Sequence, residues 1–136
     1  MKEKSCGCII FKYDDEKLLF LVIKQTLGHF SFPKGHVEES ESEKDTALRE
    51  VKEETGFDIS FVGDFREVIT YSPKPGVLKD VVFFLGNVID GVMTPQEDEV
   101  SLIEWLSYED ALKVVTFDDD KNVLKKAYKY IVKNNF

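Results

Sequence analysis

The stretch from Ser42 to Gly56, SEKDTALREVKEETG, constrains this chain more than any other. Ser40 or Ser42 can cap a helix, and no proline or glycine interrupts the residues that follow. Ala47, Leu48 and Val51 recur at helical spacing, so an amphipathic helix from about Ser42 to Thr55 is predicted, with one stripe on a core. Gly56 stops it, because glycine tolerates the left-handed backbone of a helix end. Glu50, Glu53 and Glu54 stand at i, i+3 and i+4, so their carboxylates project within about one third of the helix circumference. Like charges at that spacing destabilise a helix. A solvated acidic face is the ordinary explanation of such a run. Three like charges on one narrow face argue instead for a cation held there. Hard carboxylate oxygens on a rigid scaffold suit Mg²⁺, with Mn²⁺ as the alternative. Arg49, alongside, can pair with a carboxylate and hold it in position.

The rest of the chain supplies strands and two more helices. Cys8–Phe11 and Leu18–Ile23 are apolar runs separated by the polar turn Asp14-Asp15-Glu16-Lys17, and they read as paired strands. Gly28, Pro33 and Gly35 punctuate an irregular loop before the acidic helix. Strands are expected at Phe65–Tyr71 and Val81–Ile89, joined by the loop Ser72-Pro73-Lys74-Pro75-Gly76, with a short strand at Leu102–Leu106. Ser107-Tyr108-Glu109-Asp110 resembles a capping box and should open a short helix carrying Ala111, Leu112 and Val115. From Asp119 to Lys133, Val123, Leu124, Ala127, Tyr128 and Ile131 share one helical face, and the early aspartates complement the helix dipole. Strands interspersed with three helices predict an α+β fold, a mixed sheet with helices on both faces.

At 136 residues the chain reads as one domain, 1–136, long enough to bury a core without disulfides. Its net charge is −8, and residues 38–54 alone hold eight carboxylates against three cations. Nucleic-acid binders usually carry the opposite sign, which argues against a long polyanion as partner. No window approaches a membrane span, and Met1–Ser5 is charged where a signal peptide would be apolar. Cys6 and Cys8, two apart on a strand, read as unbridged buried thiols, in keeping with a reducing cytoplasm.

Gly35, Glu41, Arg49-Glu50-Val51, Glu53-Glu54 and Gly56-Phe57 match the pattern G-x5-E-x7-R-E-U-x-E-E-x-G-U at every defined position. That pattern is the Nudix box, and the chain resembles the Nudix superfamily on this ground. Cys6-Gly7-Cys8-Ile9-Ile10-Phe11, Phe32-Pro33-Lys34-Gly35-His36-Val37-Glu38, Phe65-Arg66-Glu67, Tyr71, Lys79 and the spacing from Glu99 to Trp105-Leu106 are similar to diadenosine tetraphosphate hydrolases within it. The similarity loosens after residue 57, and the loop between Tyr71 and Lys79 does not follow it.

The resemblance implies the Nudix α/β/α sandwich, a Mg²⁺ cofactor, and hydrolysis of a phosphoanhydride. Glu50, Glu53 and Glu54 would bind metal, with the Gly35 carbonyl and Glu99; Arg49 completes the catalytic set. Metal ions would neutralise phosphate oxygens and activate an attacking water, so positioning and electrostatics dominate. Glu54 or Glu50 is favoured as the base, with Glu99 as rival. Lys34, His36 and Lys79 are candidates for substrate phosphate, each with a solvated or backbone-satisfying role as the alternative. Tyr71 and Phe117 are candidates to sandwich an adenine; Tyr71 ends a strand beside a Pro/Gly loop, whereas Phe117 taken alone favours core packing. Glu41 should support the loop without touching metal, His29 reads as an exposed loop residue, and Trp105 as core.

The expected substrate is a dinucleoside polyphosphate or nucleotide, first diadenosine tetraphosphate cut asymmetrically to ATP and AMP by a monomeric enzyme. Removal of pyrophosphate from a nucleoside triphosphate or an RNA 5′ end is a second reading. A nucleotide-sensing module without catalysis is a third, disfavoured because such a module could dispense with its carboxylates, and all are present.

Overall fold

A computed structural model describes the whole chain, Met1–Phe136. In chain order the elements are β1 (Lys2–Asp14), β2 (Lys17–Gln25), β3 (Phe30–Ser31), β4 (Lys34–His36), α1 (Glu43–Thr55), β5 (Phe57–Lys74), β6 (Val77–Gly91), β7 (Val100–Ser107), α2 (Tyr108–Val114) and α3 (Asp118–Lys133). The seven strands form a mixed sheet in the order β3-β2-β1-β6-β5, with β4 paired to β1 and β7 to β2.

Strand β1 organises the sheet by changing neighbours along its length. From Lys2 to Ile10 it runs parallel to β6, Ser5 to Gly7 also pair antiparallel with His36 to Lys34, and from Phe11 onward it pairs with β2. Its side chains alternate between two layers, as a strand's must. Cys6, Cys8 and Ile10 pack on the side of Ala47 and Val51 of α1. Ile9 and Phe11 pack with Val123, Leu124, Ala127 and Ile131 of α3. Strand β6 splits in the same way, with Val82 and Phe84 toward α1 and Val81, Phe83 and Leu85 toward α3. Burial on both faces explains why these strands read as unbroken apolar runs. Helices therefore cover both faces, as expected.

Local chemistry sets the helix ends. Ser42 caps α1 through its side chain, which accepts from the Asp45 amide at 3.1 Å, while Asp45 accepts from the Ser42 amide at 3.3 Å. Gly56, at φ 83°, takes the left-handed end position. Ser107 caps α2 by accepting from the Asp110 amide. Cys6 and Cys8 are free and buried, and no helix is long and apolar enough to cross a membrane.

The strands run longer than the sequence predicts. Strand β1 extends to Lys2 and β5 back to Phe57, because polar edge residues gain ladder partners that periodicity does not announce. The segment expected as an irregular loop contains β3 and β4, and Ser72–Gly76 contracts to the tight hairpin of β5 and β6. Trp105 is only partly buried, at the edge of its cluster with the Lys12 ammonium 4.3 Å from its ring centroid, so it closes a layer where a core position was expected.

Candidate active site

Helix α1 presents its carboxylates to a polar cavity of about 430 Å³ that β4 roofs and the loop before β7 closes. Glu54 is 2 % exposed, and its Oε2 accepts from the Lys34 amide at 3.1 Å. Glu50 and Glu53 are instead drawn to Arg49, whose Nη1 lies 2.8 Å from Glu50 and 3.3 Å from Glu53. In this geometry the three carboxylates do not converge into a closed cage of ligands. They line one cavity with Gly35, His36, Lys79 and Glu99.

Arg49 is the hub that fixes the polar side of α1. Its Nε and Nη2 donate to Glu41 at 2.7 and 3.0 Å, and Nη2 also reaches the His36 carbonyl at 2.9 Å. Glu41 in turn accepts from the Glu38 amide and the Thr46 hydroxyl. Its bonds from Arg49, first among several, hold its carboxyl down at about 2. Glu41 thus ties the loop to the helix, the supporting role expected of it. Strand β4 is pressed onto the helix so closely that a Cβ on Gly35 would lie 2.0 Å from Glu50 Cδ. Only glycine fits there.

The loop that carries Glu99 is fastened by the unsatisfied carbonyls at the end of α1. The Thr94 and Gln96 amides donate to the Thr55 and Glu54 carbonyls, at 2.7 and 3.3 Å. The Val100 amide then returns to the Gln96 carbonyl and the Thr26 amide takes the Glu99 carbonyl. Backbone bonds therefore bring Glu99 from a distant part of the sequence to the box carboxylates.

Burial makes Glu54 and Glu50 reluctant anions. Glu54 is pushed up to about 8, first by burial and then by the charge of Glu50. Glu50 is raised by burial, against the pull of Arg49. No cation of the protein pairs with Glu54; its one protein partner is an amide. A buried carboxylate without a paired charge is costly, and a bound cation would offset that cost. Together with the all-oxygen donors around it, this fits a hard divalent ion.

A second cavity of about 230 Å³ adjoins the first, and Lys34 and His29 line both. Tyr71 and Phe117 line it with Ile69 and Val81. Phe117 is 52 % exposed with its ring 5.4 Å from that of His29, centroid to centroid, so the core-packing alternative is overturned: it lines the cavity in front of α3. Tyr71 is 40 % exposed and Lys79 is lowered by burial and then by Lys34. The expected residues therefore divide between two ends of one trench: Lys34, His36, Lys79 and the carboxylates at the polar end, Tyr71 and Phe117 at the aromatic end.

Sequence reasoning missed Ser5, Gln25, Gln96 and Asp120, which line the trench, and gave His29 no part in it. Gln96 had a signal in the polar segment before Glu99. Ser5 and Gln25 are brought there by sheet register, Asp120 by the packing of α3 and His29 by the β2–β3 loop.

A family model described as NUDIX domain matches residues 1–128. A protein named bis(5′-nucleosyl)-tetraphosphatase [asymmetrical] from Sus scrofa is 34 % identical over 96 % of this chain and 97 % of its own. The crystal structure of a C. elegans Ap4A hydrolase binary complex superposes with a TM-score of 0.84 at 26 % identity, covering 96 % of this chain and 98 % of the other. The NUDIX domain of Shewanella oneidensis NrtR complexed with ADP ribose shares the fold, with a TM-score of 0.75 at 20 % identity over 96 % and 89 % of the two chains.

Proposed function

The chain belongs to the NUDIX family, and from that premise we propose that it is a pyrophosphohydrolase that cuts dinucleoside tetraphosphates asymmetrically, giving ATP and AMP from diadenosine tetraphosphate. The observation that carries this reading is the two-ended trench, in which Lys34 and His29 border both an aromatic cavity and a carboxylate cavity. A base seated between Tyr71 and Phe117 leads its phosphate chain past Lys34 and Lys79 toward Glu50, Glu53 and Glu54. The names of the relatives at 34 % and 32 % identity over 96 % of the chain point to the same substrate class.

Each residue of the chain has a part. Glu50, Glu53, Glu54, Glu99 and the Gly35 carbonyl would hold Mg²⁺ or Mn²⁺. When bound, such an ion neutralises phosphate oxygens and activates the attacking water. Arg49 keeps Glu50 and Glu53 from swinging away, through bonds that do not need the substrate. Lys34 and Lys79 offset phosphate charge where the chain turns from one cavity to the other. Glu54 and Glu50, both raised by burial, suit acceptance of the water's proton, because a base works best when its proton affinity lies near the operating pH. Two buried thiols fit work in a reducing cytoplasm, and we take the active form to be a monomer.

The test is product analysis with diadenosine tetraphosphate and Mg²⁺. ATP and AMP in equal amounts are expected, and two molecules of ADP would overturn asymmetric cleavage. Faster release of pyrophosphate from a nucleoside triphosphate would move the substrate to the second reading. Tight binding without turnover would make the chain a sensor.

A further inference from the structure

Six polar or charged side chains are buried: Ser5, Ser31, Thr46, Glu54, Thr55 and Asp120. Four of them have protein partners: Ser31 with Gln25, Thr46 with Glu41, Glu54 with the Lys34 amide, and Thr55 with the Val51 carbonyl. Ser5 Oγ has none, and no hydrogen bond holds the Asp120 carboxyl. Both line the trench, Ser5 at its polar end and Asp120 at its aromatic end. Buried polar groups are normally satisfied; Ser5 Oγ is the one buried polar side-chain atom left without a partner, and Asp120 is a mostly buried carboxyl with no hydrogen bond that opens onto the groove.

Asp120 is the more informative of the two. It is 6 % exposed, in the first turn of α3, on a cavity whose aromatic and apolar walls are Tyr71, Ile69, Val81 and Phe117 and whose polar border includes His29 and Lys34. A mostly buried carboxyl that no protein donor bonds is costly unless a partner with hydrogen-bond donors arrives. We propose that Asp120 is a specificity-determining residue whose carboxyl meets the hydrogen-bonding edge of the base held by Tyr71 and Phe117. This rests on the reading of that cavity as a base site.

The chemistry of the carboxyl decides which edges it accepts. Ionised, it only accepts, and suits the adjacent N1–H and N2–H₂ donors of guanine. Protonated, it donates once and accepts once, and suits N1 and N6–H₂ of adenine. Burial raises Asp120 to about 6, with Asp119 of the same helix pushing up and Lys34 of β4 pulling down. Tyr71 of β5 and His29 of the β2–β3 loop face the same cavity. The two forms therefore exchange around pH 6, and the favoured base shifts from adenine toward guanine as pH rises.

A tetraphosphate carrying adenine at one end and guanine at the other tests this in one tube. Asymmetric hydrolysis gives either AMP with GTP or GMP with ATP, and the ratio of the two pairs reports which base occupies the cavity. Because the two outcomes compete within one substrate, changes in overall rate with pH cancel. In the wild type the ratio should move at least about 5-fold between pH 5.5 and pH 8, the low end for one bidentate base contact. Asp120→Asn, which donates and accepts at every pH, should stay flat near the wild-type low-pH ratio, and Asp120→Leu should also be flat. A wild-type ratio that does not move, or a pH shift that persists in Asp120→Asn, overturns the proposal. If the mixed tetraphosphate is not cleaved at all, asymmetric hydrolysis fails on its own account. The base reading is then decided by calorimetric titration of the same three proteins with AMP and GMP, where the same pattern is expected. Equal AMP-to-GMP preference in all three at both pH values would refute it.

Discussion

Replacing Glu54 by Gln should make the metal-free protein more stable while removing its activity. The native carboxyl, 2 % exposed and crowded by Glu50, is raised to about 8, whereas in the unfolded chain a glutamate titrates near about 4.3. At low pH both states carry the proton and the substitution changes little. As pH rises past about 4 the unfolded chain ionises and the native one does not, so the wild type loses stability until the native group also ionises near pH 8. At pH 7 the difference is about 4 kcal/mol, from about 1.4 kcal/mol per unit of pH over roughly 2.7 units. Gln keeps an acceptor for the Lys34 amide, so that bond does not offset the gain. For a domain of this size the gain corresponds to a rise of about 14 °C in melting temperature. Thermal unfolding in chelator at several pH values is the assay. The advantage of Glu54→Gln should be near zero at pH 4, grow to pH 8 and then level off. A saturating level of Mg²⁺ should stabilise the wild type, by about 2.7 kcal/mol at a hundredfold excess over Kd, and leave the variant unmoved. A variant no more stable than the wild type at pH 7, or an advantage equal at pH 4 and pH 8, would refute the account of Glu54 as a charge awaiting its cation. In the same variant kcat should fall by at least about 10³-fold, a barrier increase of about 4 kcal/mol.

Hydrolysis should stop with EDTA and return with Mg²⁺ or Mn²⁺, while Ca²⁺, which prefers larger and looser coordination, supports it poorly; full turnover in excess chelator would remove metal assistance. Gly35→Ala should keep the fold by circular dichroism and lose at least about 10²-fold in kcat, since its Cβ would displace the Glu50 carboxylate 2.0 Å away; unchanged kcat would show that the position of Glu50 is unimportant. Tyr71→Ala should raise KM for a dinucleoside tetraphosphate by about 5- to 100-fold with kcat largely kept, the loss of one stacking contact, and leave a base-free inorganic polyphosphate unaffected; equal damage to both substrates would make Tyr71 a general structural residue.

Much of the chemical end of the site is legible in the sequence because it is local. Ser42, the stripe of Ala47 and Val51, and Gly56 set a helix within one short segment, and its geometry alone gathers Glu50, Glu53 and Glu54. The sheet is less legible. Strand β4 has three residues and exists because Ser5 to Gly7 of β1 lie opposite it; nothing within Lys34–His36 signals a strand. Phe117 and Asp120 are hidden for a related reason. In the sequence Asp120 is one of three acids complementing the start of α3, and that local account is sufficient as far as it goes. Its burial comes from Val81 and Tyr71, brought there by the β5–β6 register.

This difference follows the division of labour in the trench. The box carboxylates of the polar end come from one helix, with Glu99 joining from the distant loop before β7, and Arg49 bonds Glu41, Glu50, Glu53 and the His36 carbonyl as a unit. Substitutions there disturb several contacts at once and act on bond breaking. The aromatic end is assembled from β5, β6, the β2–β3 loop and the first turn of α3, and its groups make few bonds to one another. A change at Phe117 or Asp120 leaves the Arg49 network untouched, so the preference for a base can shift without altering how the anhydride is cut. Lys34 is the exception: its amide holds Glu54 at 3.1 Å while its side chain borders both cavities. The backbone contact survives any substitution other than proline. Only the ammonium, and with it the proposed handover of phosphate from one end to the other, depends on the residue being lysine.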